Sequence, residues 1–316
     1  MSVYSLRFNG TGNAWPVPLG EEHPFYDRKK KEDLANSSFS IIKRNENGEI
    51  EKELLIDAGY GIVYYLLARE NRIPDAIVIT HPHHDHTFSL DWIAQSFYKR
   101  HNKKKKYPVY CSVACFHMLM NTYPQLEKII EHKILHPGKE ITVNEFPQIK
   151  LKAYPVYHGP GAKGASMINA NIKGRKKVLF TGDILVPTLR NLDFETLSNT
   201  DLFIADANNR FPYPGTNHWS ISSSINKHYD ETKRLQSFRK ELSKIDLSLP
   251  HIPLNHELQE YFDKFRVDFN PGDVSLSVFD FSTQIKAKKV FLVHYSGRED
   301  KTYYNHPILI RSELNS

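Results

Sequence analysis

One segment of the chain carries residue types that suit metal binding. Residues Thr80 to His86 have the sequence Thr-His-Pro-His-His-Asp-His, which places four histidines and one carboxylate within six positions. Imidazole and carboxylate together suit zinc and other borderline divalent metals. The plain alternative is a solvated, histidine-rich loop, and the sequence on either side argues against it.

The flanking residues predict a tight turn between a strand and a helix. The apolar run Ala76–Ile79 is too short for a helix and suits a buried strand. Apolar residues then recur at helical spacing from Leu90 to Phe97, which predicts an amphipathic helix over His86–Arg100. We therefore expect the histidines and the aspartate to project from the turn toward more than one metal position.

Six apolar runs that suit strands each end at a residue able to bind metal or transfer a proton. These residues are Asp57, His81, His158, Asp183, Asp206 and His294. Burying any of them without a partner is costly, so we expect them to share one polar edge. Open sheets flanked by helices bind ligands at the carboxyl ends of their strands. The sequence therefore predicts a single shared site.

The composition is that of an ordinary soluble globular protein. The 316 residues are 40% hydrophobic and 25% charged, and they contain no internal repeat, so we expect one domain over 1–316. Cys111 and Cys115 are expected to be reduced thiols on one face of a helix, which fits a cytoplasmic location. No run suits a signal peptide or a membrane span, so no membrane partner is expected.

The charge balance is mildly basic. The formal net charge of +6 favours an anionic substrate or serves solubility. The densest basic run is Lys103–Lys106, for which a solvated loop is favoured over a surface that contacts phosphate.

The His-x-His-x-Asp-His segment and the strand-end residues resemble the metallo-β-lactamase fold superfamily, and more narrowly its RNase Z branch with the related phosphodiesterases. The resemblance covers roughly residues 1–220 and 286–300. It implies an α/β fold, an αββα four-layer sandwich, with two divalent metal ions, Zn²⁺ first and Mn²⁺ or Fe as alternatives. Carried over to this chain, the metal ligands are His81, His83 and His158 for one ion, Asp85, His86 and His294 for the other, and Asp183 as the bridge. The same comparison makes Asp57 an orienting residue and gives His84 no role.

Two further matches imply a catalytic pair. The segment Leu202–Ala207 resembles the part of RNase Z whose acidic residue, here Asp206, pairs with a catalytic histidine. The segment Asn217–Ile221 resembles the element that supplies that histidine, here His218. The implied reaction is phosphodiester hydrolysis by a metal-bridged hydroxide, with His218 protonating the leaving group and the ligand Asp85 also part of the catalytic set.

Two departures from the RNase Z pattern bear on the substrate. The interval from His158 to Asp183 is too short for the tRNA-gripping arm of that family, which favours a small or cyclic nucleotide, or another small phosphodiester, over pre-tRNA. Residues 226–284 are an excess, predicted as two helices and a strand near Val274–Phe279. We expect them to form an inserted cap or a dimerisation element, and we expect a homodimer.

Other functions stay open at this stage. One is an RNase Z-like endonuclease on tRNA or RNA, and another is a lactonase or thioesterase, which would not need the His218 acid. A third is a non-catalytic nucleotide-binding protein, against which the intact ligand set argues. Aromatic residues near the site loops suit stacking on a base, namely Trp15, Phe211, Tyr213 and Trp219.

Overall fold

The computed structural model describes residues 3–14, 20, 35–159, 161–189, 191–208, 218–219, 278–294 and 309–311. Most of the predicted cap, residues 226–277, lies outside the described residues, as do Trp15, Phe211 and Tyr213. The cap and the homodimer therefore stay predictions.

The first sheet holds six strands in chain order. They are β1 (Val3–Gly10), β2 (Ser38–Arg44), β3 (Ile50–Ile56), β4 (Ala76–Val78), β5 (Tyr107–Cys111) and β6 (Ile130–Ile134). The first three pair antiparallel, whereas β3 to β6 pair parallel. Parallel strands end at the same edge of a sheet, so the segments after β3 and β4 start side by side.

The second sheet holds eight strands. They are β7 (Glu140–Val143), β8 (Phe146–Tyr157), β9 (Ser166–Ile172), β10 (Lys176–Phe180), β11 (Val186–Pro187), β12 (Leu202–Asp206), β13 (Val290–Val293) and β14 (Leu309–Arg311). Their order is β11-β8-β9-β10-β12-β13-β14, with β7 also paired to β8. Strands β10, β12 and β13 run parallel, so the residues that follow them share one edge as well.

Helices cover the outer faces of both sheets. They are α1 (Ile62–Ala68), α2 (His84–Thr87), α3 (Leu90–Arg100), α4 (Val113–Thr122), α5 (Asn191–Leu197) and α6 (Val278–Gln284), with a 3₁₀ turn at Pro124–Leu126. One apolar core joins α1, α3 and α4 to the first sheet, and a second fills the space between the sheets. A third joins α5 and α6 to the second sheet. This layering is an αββα sandwich, which confirms the predicted fold class.

Several local predictions are wrong. The helix predicted over His86–Arg100 is two helices, because a turn at Phe88 and Ser89 separates α2 from α3. The sequence of Gln125–His132 also predicts a helix, but these residues are a 3₁₀ turn followed by the start of β6. The strand predicted near 274–279 is wrong at Val278 and Phe279, which lie in α6.

The two cysteines do not share a helix. Cys111 is the last residue of β5, and Cys115 lies in the first turn of α4 after the N-cap residue Ser112. Both thiols are free and buried, as expected of reduced structural cysteines. Within the described ranges, no helix is both long enough and apolar enough to cross a bilayer.

Candidate metal centre and active site

The predicted ligands lie where the carboxyl ends of the two sheets meet. The backbone N–H of Ser166 donates to the carbonyl of Thr80 at 3.0 Å, and this bond joins the histidine segment to the second sheet. Asp57 and His294 adopt left-handed backbone angles, with φ of 56° and 61°. Such angles are uncommon outside glycine and often mark functional turns. Here they occur at the two strand ends that deliver side chains to the same place.

One group of donor atoms matches the first predicted ion. His81, His83, His158 and Asp183 each offer a donor atom within 4.8 Å of the others. The Nε2 atoms of His81 and His158 lie 3.6 and 3.5 Å from Oδ2 of Asp183. These separations are long for hydrogen bonds. They are close to about 3.4 Å, which is the distance between two ligand atoms when a tetrahedral zinc ion has bonds of about 2.1 Å.

A second group matches the other predicted ion and shares Asp183. It comprises Asp85, His86, His294 and Asp183. Nε2 of His86 lies 3.2 Å from Oδ1 of Asp183, and Nε2 of His294 lies 3.3 Å from Oδ2 of the same carboxylate. Asp183 therefore faces both groups, which is the geometry that a bridging ligand requires.

The polarity of the site fits a cation. Nε2 of His81, Nε2 of His86 and Oδ1 of Asp183 are buried and have no hydrogen-bond partner in the described part of the chain. Leaving buried polar atoms unpaired costs free energy, and metal coordination is one way to satisfy them. The donor set of nitrogens and carboxylate oxygens suits Zn²⁺ and similar ions. The residues present therefore fit two divalent cations.

Asp57 fixes the orientation of the site without belonging to either donor group. Its Oδ1 accepts the Thr80 N–H at 2.8 Å, and its Oδ2 accepts the Thr80 hydroxyl at 2.7 Å. Nδ1 of His86 lies 2.8 Å from the same Oδ2, so Nε2 of that ring is turned toward Asp183. A carboxylate behind a ligand histidine fixes its ring orientation and tautomer.

His218 and Asp206 form a pair at the rim of the second group. Nδ1 of His218 lies 2.7 Å from Oδ2 of Asp206, and Nε2 of His218 lies 3.9 Å from Oδ2 of Asp183. The backbone N–H groups of Ile184 and Asn208 donate to Asp206, which is fully buried. The imidazole is therefore held with one nitrogen on a buried carboxylate and the other toward the metal centre.

Electrostatics favour the protonated form of His218. Burial on its own lowers the pKa of this imidazole, but Asp206 and then Asp183 outweigh burial and raise the pKa to about 9. Burial likewise opposes the charge on Asp183, yet the surrounding histidines, led by His294, hold the pKa of its carboxyl well below the ordinary value. The site therefore combines an ionised carboxylate with a protonated imidazole.

Two residues named in the sequence analysis, His84 and Trp219, lie outside both donor groups. His84 is exposed, lies in neither donor group, and packs its ring near Tyr123 at 6.2 Å. Trp219, suggested as a base-stacking residue, is only 1% exposed and packs against Phe203 and Phe281 in the core. It cannot stack on a ligand.

Two contributors escaped the sequence analysis. Thr80 bridges Asp57 to the histidine segment, and its place between the strand and His81 was the only signal. Gly59 lets the chain pass the backbone of Asp85, since a Cβ atom there would lie 1.7 Å from the Asp85 carbonyl oxygen. A glycine two residues after a strand-end aspartate indicated a turn, but not its partner.

Comparison with known proteins agrees with this geometry. A family model described as β-lactamase superfamily domain matches residues 52–226, more than half of the chain. No curated protein matches the sequence significantly.

Solved structures share the fold at low identity. A diphosphatase of the PhnP family is 17% identical with a TM-score of 0.63, and the match covers 98% of this chain and 95% of that one. The metallo-β-lactamase fold protein YhfI from Bacillus subtilis is 14% identical with a TM-score of 0.55, covering 95% and 90%. The short form of human tRNase Z is 16% identical with a TM-score of 0.53, covering 94% and 93%. These likenesses and the family match carry one conclusion: the chain belongs to the β-lactamase superfamily and has its metallo-β-lactamase fold.

Proposed function

We propose that this protein is a dinuclear metal-dependent phosphodiesterase whose substrate is a small or cyclic nucleotide or another small phosphodiester. The observation that carries the proposal is the His218–Asp206 pair, held beside two donor groups that share Asp183. Metal ligands alone would fit many hydrolytic reactions. A buried carboxylate that keeps a histidine protonated beside them favours a reaction whose leaving group needs a proton.

The ligand assignment supports two cations. His81, His83 and His158 would hold one, and Asp85, His86 and His294 the other, with Asp183 between them. When bound, two divalent ions, Zn²⁺ or alternatively Mn²⁺ or Fe, supply positive charge that lowers the pKa of a water and neutralises phosphate oxygens.

The side chains of this protein then have defined tasks. Asp57 holds the His86 ring in place, and Asp206 holds His218 with its Nε2 nitrogen toward the centre. His218 donates a proton from Nε2 to the leaving oxygen, and Asp206 stabilises the charged imidazole before that transfer. General acid catalysis of this kind contributes about 10²–10⁴-fold to the rate.

Substrate size is argued from the second sheet. Between His158 and Asp183, the described residues form only β9 and β10 with short loops, so no long arm projects from this interval. This supports a small diester over pre-tRNA. Among proteins of similar fold, a diphosphatase and a tRNase Z support phosphate ester chemistry in general.

The test is the turnover of bis(p-nitrophenyl) phosphate by protein of measured metal content, with cyclic nucleotides and a pre-tRNA in parallel. We expect diester hydrolysis that requires about two metals per chain and is lost in Asp183→Ala. His218→Ala should keep its metal while turnover falls for the cyclic nucleotides, whose alkoxide leaving group needs a proton. A fully metal-loaded protein that hydrolyses lactones or thioesters but no diester would overturn the proposal in favour of a carboxyl-centre hydrolase.

A further inference from the structure

We propose that the outer face of α1 and α3 binds single-stranded nucleic acid. This surface combines four exposed aromatic side chains beside the metal centre with a cluster of cations at the far end of α3. The inference rests on the proposed phosphodiesterase function and extends its substrates from small diesters to short single-stranded oligonucleotides.

The aromatic ladder consists of Tyr60, Tyr64, Phe88 and Trp92. Their exposed fractions are 58%, 57%, 56% and 52%. The rings of Tyr60 and Phe88 lie 5.7 Å apart, and those of Tyr64 and Trp92 lie 6.0 Å apart, both edge to face. Tyr64 lies in α1 and Trp92 lies in α3, and Tyr60 and Phe88 lie in the turns just before these two helices.

The ladder is not part of the core. The buried side of α1 is formed by Ile62, Val63, Tyr65 and Leu66, and the ladder rings project from the opposite side. Leu67, which is 46% exposed, extends the same surface. A contiguous exposed apolar patch of this kind marks an interaction site.

The ladder is fixed to the metal centre by backbone contacts. The N–H of Ala58 donates to the His86 carbonyl at 2.7 Å, and the Ser89 hydroxyl donates to the Gly59 carbonyl at 2.6 Å. These bonds join the segment after β3 to the turn after α2. Tyr60 and Phe88 therefore start the ladder within a few residues of Asp85 and His86, which face the proposed reaction.

A basic cluster lies at the other end of α3. We define it as Lys99, Arg100, Lys103, Lys104, Lys105 and Lys106. All six side chains are exposed, and none forms an ion pair within the described ranges. Because Lys106 directly precedes β5, the cluster lies at the edge of the sheet opposite the metal centre.

One face of α3 connects the two features. Within α3, Trp92, Ser96 and Lys99 follow at spacings of four and three residues, so they align along the helix, and Phe88 lies in the turn just before it. Trp92 and Lys99 are about 10 Å apart along the helix at 1.5 Å per residue. The surface is thus a track that leads from the metal centre across aromatic rings to unpaired cations.

Single-stranded nucleic acid has the chemistry that this track requires. Its bases stack on aromatic rings, and its phosphates pair with lysine and arginine. A second copy of this chain would cover the rings but would give no account of the six unpaired cations at the end of α3 and in the loop after it. The charge therefore favours a polyanion with flat apolar groups.

The proposal is tested with fluorescein-labelled oligouridylate of about 12 nucleotides, titrated with the full chain in the presence of a chelator. Chelation prevents cleavage of the probe, so the binding result does not depend on catalysis. We expect Trp92→Ala and Tyr64→Ala each to weaken binding by about 5- to 100-fold, the loss of one stacked base. Leu192→Ala is the matched control, since this exposed apolar side chain lies on α5 in the other outer layer and should bind like the wild type.

The cations are tested through the salt dependence. For single strands, the slope of log K against log salt changes by about 0.7 for each phosphate contact, so Lys104→Ala with Lys105→Ala should reduce its magnitude by about 1.4. The control is Lys139→Ala with Lys150→Ala. Lys139 is exposed just before β7 and Lys150 is exposed on β8, and their loss should leave the slope unchanged.

Three outcomes would overturn the proposal. Oligouridylate affinity that is unchanged in Trp92→Ala, or a salt slope that is unchanged in the double lysine variant, rules out the track. A wild-type dimer that Trp92→Ala converts to monomer, with oligouridylate binding intact, makes the ladder a subunit interface. Bis(p-nitrophenyl) phosphate is too small to reach the ladder, so its turnover should be the same in Trp92→Ala and the wild type. This measurement distinguishes a failure of the binding proposal from a failure of the proposed reaction.

Discussion

Nδ1 of His218 lies 2.7 Å from Oδ2 of Asp206, and the same oxygen accepts the backbone N–H of Ile184, the residue after Asp183, at 3.1 Å. One carboxylate therefore ties the proposed proton donor to the loop that carries the proposed bridging ligand. This arrangement makes the position and the charge of His218 depend on a residue that needs no direct contact with the substrate.

Asp206→Asn tests the effect of the negative charge of this residue on catalysis separately from the effect of its size. The amide keeps the volume but removes the negative charge that raises the pKa of His218 to about 9 against the effect of burial. Turnover should fall by about 10²-fold, and the loss of rate on the alkaline side should move to lower pH because the acid deprotonates earlier. The measurement is a pH–rate profile at fixed metal content, and an unmoved profile would count against Asp206 as the residue that sets the pKa of His218.

Asp201→Asn is the control for that experiment. Asp201 lies just before β12, at the opposite end of this strand from Asp206. Its carboxylate accepts hydrogen bonds from the Lys288 ammonium and from the Lys177 N–H. Its replacement should leave the pH–rate profile unchanged.

We expect Asp57→Asn to weaken metal binding. Asp57 accepts hydrogen bonds from Thr80 and holds Nδ1 of His86. Loss of such an orienting carboxylate reduces metal affinity by about 10–100-fold. Competition with a chromophoric chelator measures this change. The control is Asp75→Asn, which alters a carboxylate at the other end of the first sheet and should bind metal like the wild type. Equal metal affinity in the two variants would mean that Asp57 has no orienting role.

Six residues of the candidate site were predictable from sequence because they follow strands, whereas His83, Asp85 and His86 were identified by the histidine motif and His218 by the resemblance to RNase Z. A short apolar run followed by aspartate or histidine is visible without any structure, and parallel pairing brings such ends to one edge. The backbone geometry was not visible in the same way. The left-handed angles of Asp57 and His294 and the close approach of Gly59 to Asp85 arise from contacts between segments that are distant in the chain.

The fold was predictable in class and less so in detail. Leu126, Ile129 and Ile130 have helical spacing, yet β6 forms because the backbone from Ile130 to Ile134 pairs with β5. Tertiary pairing overrides local periodicity at this point. Similarly, Trp219 suits a binding loop by its position in the sequence, but Phe203 and Phe281 bury it from two separate elements.

We expect Gly59→Ala to damage stability and metal binding together. The new Cβ would meet the carbonyl oxygen of Asp85 at 1.7 Å and Cβ of Asn36 at 2.6 Å, so the backbone of a proposed ligand must move. Overpacking of this kind costs about 1–3 kcal/mol of unfolding free energy. Thermal unfolding with and without metal tests it. Gly174→Ala is the control, because Gly174 has a left-handed backbone and open space around it. This change should lower the unfolding free energy by about 1 kcal/mol and leave metal affinity intact. Wild-type metal affinity in Gly59→Ala would show that the contact with Asp85 is not rigid.

The last prediction concerns the buried ion pair between Arg7 and Glu53. The Glu53 side chain is fully buried, pairs with Arg7 and accepts the Ser40 hydroxyl at 2.6 Å. Burial raises the pKa of its carboxyl in spite of Arg7, so the folded state binds a proton more tightly than the unfolded state. Stability is therefore lost as pH rises from the unfolded pKa through the folded pKa.

Arg7→Met removes the charge that favours the ionised carboxylate and raises the pKa of Glu53 further. We expect a loss of about 3–5 kcal/mol at a pH above the folded-state pKa of Glu53 and a smaller loss at a pH below it, where the carboxyl is protonated. Urea unfolding at the two pH values measures the difference. Adding Glu53→Gln to Arg7→Met should recover part of the stability and abolish its extra pH dependence, because no buried charge is left unpaired. An equal loss at both pH values would mean that Arg7 acts through its other contacts, the ion pair with Glu70 at 2.9 Å and the Tyr65 ring at 5.6 Å, and not through the charge of Glu53.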